Sequence, residues 1–112
     1  MDASTNDYTF VPDLLAAQEI PAEGILTRTI LNTPYSKAVL FTFSQGQELS
    51  EHTASVPALL HILMGKARIG LGADKVDAGQ GSWIHMPANM KHCVRAETPL
   101  VMLLVMLKKP GQ

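Results

Sequence analysis

The sequence predicts an all-β domain, either a sandwich or a closed barrel. Short runs rich in Val, Ile, Leu, Thr and Phe recur from residue 25 to residue 107, and Gly, Pro, Asn or Ser bounds them. Regular spacing of this kind marks sandwiches and barrels. The one helix-like segment, "DLLAAQEI", is short, opened by Asp13 and stopped before Pro21.

The elements follow in order. "YTFVP" has the composition of a short strand. "ILTRTIL" is rich in β-branched residues, and "KAVLFTF" follows it and ends at "SQGQ". "EHTASVP" reads as a turn, with His52 at its mouth, leading into the buried strand "ALLHILM" that Gly65 closes. "KARIGLG", a tight turn into "KVDAG", "SWIHM" up to Pro87, "HCVRAE" up to Pro99 and "LVMLLVML" complete about eight strands. Residues 1–23 read as an N-terminal arm packing on the barrel or on a partner subunit, and residues 24–109 as the barrel. "LVMLLVML" and "ALLHILM" do not alternate, so both of their faces must be covered. The arm, a second sheet layer or another subunit would cover the outer faces, and a symmetric homodimer is the simplest arrangement.

Bulk properties narrow the function. The chain has 112 residues, 46% of them hydrophobic and 17% charged, as expected of one folded core burying about 65% of its unfolded surface. A net charge of -1 leaves no basic excess for a phosphate backbone, so nucleic acid is excluded as a partner. The longest apolar run, Leu100 to Leu107, is far short of the ~20 residues of a membrane helix, and the polar start "MDASTNDYTF" lacks the regions of a signal peptide. With Cys93 as the single cysteine, no internal disulfide forms and a cytoplasmic location is expected.

Glycines and histidines then fall into a spacing that resembles the cupin superfamily, in particular its small single-domain, RmlC-like bacterial members. The fold this implies is a double-stranded β-helix, or jelly-roll, cupin barrel. The first cupin motif is a glycine, five residues, His-x-His, three or four residues, Glu, six residues and a glycine. Here Gly46 is followed by five residues and His52, and Gly65 closes the motif. The second motif is a glycine, five residues, Pro-x-Gly, two residues, His, three residues and Asn. Here Gly81, Pro87 and His92 match, Asn89 stands where Gly is usual, and Ala96 stands in place of the final Asn.

The resemblance implies a metal site with three ligands from the first motif and one from the second. Carried over by position, His52 and His92 are the ligands present, while Ala54 replaces the second histidine and Ala58 the glutamate. The cofactor implied is a divalent iron, manganese, nickel or zinc ion, with no organic cofactor. A third ligand is hard to find. Glu51 falls on the opposite face from His52 in an extended strand. Glu48 shares its parity but lies roughly 13 Å away, and His61 has the opposite parity to Ala58.

The remaining residues have simpler readings. His85 and Trp83 face outward if Ile84 and Met86 face inward, and Cys93 points away from His92 as packing. Met64, Met86, Met90, Met102 and Met106 fill core gaps. Methyl groups at 54 and 58 enlarge and dry the interior, giving an apolar pocket lined by Leu60, Ile62, Ile84 and Met86 with two imidazoles at one end. Three functions stay open: a metal-dependent cupin acting on or binding a small molecule, a metal-free, non-catalytic small-molecule-binding module, and a metal-free enzyme with a histidine base. A transcription-factor sensor has no room for a helix-turn-helix. No catalytic residue or ligand is named by the sequence.

Overall fold

The computed structural model describes residues 7–109, so the first six residues of the expected arm lie outside the described part. Nine strands are present among the described residues: β1 (Ile25–Asn32), β2 (Ser36–Phe43), β3 (Glu48–His52), β4 (Ala58–Met64), β5 (Ala67–Leu71), β6 (Asp74–Ala78), β7 (Trp83–Met86), β8 (His92–Ala96) and β9 (Leu100–Leu107). They form two antiparallel sheets, a five-stranded β1-β2-β9-β4-β7 and a four-stranded β3-β8-β5-β6. This is the jelly-roll barrel that the sequence predicts.

The core lies between the sheets. Phe43, Leu60, Ile62, Met86, Leu100 and Met102 face β5 and β8 residues Ile69, Val94 and Ala96, all at 2% exposure or less. Burying each large side chain stabilises the fold by about 1.5–3 kcal/mol. Period-two alternation places Ala58, Leu60 and Ile62 inside, and Leu59 and His61 on the outer face of β4. The outer face of the four-stranded sheet is charged. Cross-strand register aligns Glu48, Arg95, Arg68 and Asp77 in one row, with ion pairs Arg68–Asp77 at 3.2 Å and Arg95–Glu48 at 3.8 Å.

Two local readings needed correction. "YTFVP" forms no strand, because it finds no ladder partner, and Tyr8 and Phe10 are exposed. Glu51 and His52, read as the start of a turn, instead end the edge strand β3, which also takes in Glu48 to Ser50, where the sequence reading places no strand. Leu49 is its only apolar residue, so the composition gives no strand signal. The helix-like segment contracts to a single 3-10 turn, Leu14–Ala16, whose Leu15 N–H donates to Asp13 Oδ1 at 3.0 Å.

The chain before β1 lies against the outer face of β1 and β2. Gln18 Nε2 donates to Thr42 Oγ1 at 2.6 Å and to the Leu26 carbonyl at 3.0 Å, and Arg28 Nη1 donates to the Ala17 carbonyl. Leu40, on that outer face, is completely buried. The β9-β4-β7 side is less covered. Two cross-strand rows, Val105–Leu59–His85 and Leu103–His61–Trp83, cross it, and Trp83 is 61% exposed.

Candidate functional site: a histidine pair at the barrel mouth

The ends of five strands meet at one end of the barrel. His52 ends β3 and His92 begins β8, and the two are direct partners in the ladder. The β3–β4 and β7–β8 connections are tied together where Asn89 N–H donates to the Ala54 carbonyl at 2.7 Å. The end of β9 joins them through Leu107 N–H and the Pro57 carbonyl at 2.9 Å. Asn89 is the only non-glycine residue with positive φ, 67°, among those described. That conformation explains the family's glycine here, and asparagine is the side chain that best tolerates it.

The two imidazoles are in contact, with centroids 4.1 Å apart and planes inclined at 62°. His92 is buried and His52 exposed. A bulge brings them together: the β3 register shifts between Leu49 and His52, so both Leu49 and His52 reach the inner side. The bulge also overturns the shared parity expected of Glu48 and His52. Glu48 pairs with Arg95 on the outer face instead.

Hydrogen bonding fixes the chemistry of both rings. His52 Nδ1 lies 2.7 Å from the Ser50 carbonyl, and His92 Nδ1 lies 3.0 Å from the Met90 carbonyl. A carbonyl oxygen only accepts, so each Nδ1 carries the proton, and in the neutral ring each Nε2 keeps a lone pair. Among the described residues no fully buried side-chain nitrogen or oxygen lacks a partner, so the unpartnered Nε2 of His92 keeps some exposure. Histidines that bind metals or polar ligands are held in this way.

The rest of the expected ligand set is missing. Ala58 is 2% exposed and lies between Met86 of β7 and Met106 of β9, its direct partners on either side. His61 faces outward, paired with Trp83 and Leu103. Cys93 sits outside on β8 over Gly70, where an added Cβ would lie 2.6 Å from the thiol sulfur. No group of three or more His, Cys, Asp or Glu side chains suited to a metal occurs among the described residues. Two neutral nitrogen donors do not fit a resident divalent ion, which wants three or four ligands, including anionic ones for iron.

Leu60, Ile62 and Met86 point inward as expected, and Ile84 packs against them. A hollow of about 600 Å³ lies elsewhere, outside the four-stranded sheet, but its Glu48, Arg95 and Arg68 are engaged in ion pairs. Sequence reasoning turned Met86 inward but missed that it and Met106, treated only as filler, flank Ala58. Their positions around Ala58 follow only from strand register.

A model of the cupin domain matches residues 39–106. Among solved structures, the chain is similar to a conserved protein of unknown function from Streptococcus pyogenes (28% identity, 94% of this chain and 92% of that one, TM-score 0.84). It is also similar to an RmlC-like cupin protein from Desulfovibrio desulfuricans (24%, 89% and 97%, TM-score 0.80) and to a cupin superfamily protein from Desulfitobacterium hafniense (22%, 88% and 90%, TM-score 0.79). No curated protein matches the chain. Two converging histidines, the jelly-roll topology and a domain match over more than half its length make this chain a member of the cupin family.

Proposed function

We propose that the chain is a ligand-binding cupin barrel whose recognition group is the His52–His92 pair. The carrying observation is the tethering of both Nδ1 atoms to main-chain carbonyls in two rings whose centroids are 4.1 Å apart, which leaves both Nε2 lone pairs free to accept. Such a pair receives an electron-poor partner: the hydrogen-bond donor of a small molecule with an apolar body, or a metal ion. Iron, manganese, nickel or zinc held here would draw most of its ligands from solvent, so weak binding of divalent ions is expected. Main-chain carbonyls rather than carboxylates orient both rings, which favours binding over general-base catalysis.

The partner in this reading is a second copy of the chain. The β9-β4-β7 outer face presents Leu59, Leu103, Val105 and Trp83, an apolar patch of the kind that marks an interface. The division into an arm (residues 1–23) and a barrel (residues 24–109), and a cytoplasmic location with a free Cys93, belong to the same proposal.

Histidine side-chain NMR tests the site. Zinc chloride, phenol and a short fatty alcohol are titrated separately into the full chain. At least one probe is expected to shift the ring signals of both His52 and His92. Ring signals unmoved by every probe would overturn the reading.

A further inference from the structure

We infer that the mouth selects a soft monovalent metal ion, Cu(I), held by His52 Nε2, His92 Nε2 and methionine thioethers. This rests on the histidine pair being the ligand site and names the ligand. Strand register carries the inference. Where the family's metal site has a glutamate, Ala58 lies between inward-facing Met86 and Met106 on the two neighbouring strands. Met90, two residues before His92, packs against the same core and supplies the carbonyl that orients that ring. Met86 ends β7 and Met106 is the penultimate residue of β9, so both stand at the barrel end where β3 finishes and β8 starts, next to the tied 54–57 and 87–91 connections.

The donor set is therefore two imidazole nitrogens and thioether sulfurs, every one neutral. Thioethers favour Cu(I) over hard divalent ions. Charge leads to the same choice. The cost of placing an ion in an apolar site rises with the square of its charge, and among the described residues no cluster of three or more His, Cys, Asp or Glu side chains gathers here to offset a second positive charge. Cu(I) also accepts the low coordination numbers that two imidazoles and one or two sulfurs provide. The replacement of a carboxylate by methyl and thioether groups thus changes which ion fits, rather than simply abolishing a site.

The test is anaerobic titration of the full chain with Cu(I) in competition with a chromophoric Cu(I) chelator, followed by X-ray absorption at the copper edge. One ion per chain is expected, with both nitrogen and sulfur scatterers. His92→Ala should weaken binding by at least the roughly 10–100-fold that loss of even an outer metal partner costs. Met86→Leu and Met106→Leu conserve volume. They should reduce sulfur scattering and weaken Cu(I) while lowering the melting temperature of the metal-free protein only slightly. Zinc titrated in parallel should bind more weakly.

A site without sulfur, or Cu(I) affinity indifferent to both Met→Leu variants or to His92→Ala, overturns the inference. If Cu(I) does not bind yet zinc or an organic probe shifts both histidines, the inference fails and the ligand-binding reading stands. If no probe, copper included, reaches either ring, both fail.

Discussion

Restoring the family's missing ligands with Ala54→His and Ala58→Glu perturbs the mouth most directly. Ala58 is 2% exposed between Met86 and Met106, so a glutamate there meets no cationic partner. An uncompensated buried charge costs about 3–5 kcal/mol. Each kcal/mol moves Tm by about 4–8 °C in a domain near this length, so the metal-free double variant should melt at least roughly 12 °C below the natural chain. Zinc reverses the sign of the effect. Three imidazoles and one carboxylate form a tetrahedral zinc set. At a free concentration of 100 times Kd, zinc contributes about 2.7 kcal/mol, or roughly 11–22 °C. Scanning calorimetry with a chelator and then with zinc reads both effects. Ala54→His alone adds a third imidazole with no buried carboxylate, which keeps the test available if the double variant folds poorly. The reasoning is refuted if zinc raises the Tm of the folded variants no more than that of the natural chain.

Three further outcomes are expected. Gly65→Ala should destabilise severely, by about 3 kcal/mol or more, because its φ is 93° and an added Cβ would lie 2.1 Å from the Pro99 carbonyl oxygen. Gly46→Ala, at φ 85° but with open space, should cost only about 1–2 kcal/mol, and chemical denaturation compares the two. Asn89→Gly should leave Tm nearly unchanged, while Asn89→Val, β-branched at φ 67°, should lower it clearly. For the dimer, sedimentation equilibrium should find two copies for the natural chain and one for Leu103→Asp, with circular dichroism unchanged. A dimer unaffected by Leu103→Asp would place the interface elsewhere.

Much of the fold was legible because its strands are written in β-branched and apolar residues between turn residues. β4 and β9 are apolar on both faces because one face meets the barrel core and the other lies on the half-covered outer surface. β3 was not legible. It is a polar edge strand with one apolar residue, and its bulge cannot be counted from spacing. The bulge made the parity of Glu48 misleading even though the convergence of His52 and His92 could be read from their motif positions. The reverse held for "YTFVP", where strand-like composition found no partner. Methionine is uninformative locally because it fills gaps anywhere. Met86 and Met106 gain meaning only once pairing puts both beside Ala58.

The central claim is that both rings turn unprotonated Nε2 atoms to a shared mouth. Long-range nitrogen–proton NMR of the histidine side chains, combined with ring-to-ring nuclear Overhauser effects, measures this directly. The account predicts the Nδ1–H tautomer for His52 and His92, with cross-peaks between the two rings. Nε2–H tautomers, or rings too far apart to exchange magnetisation, would contradict it.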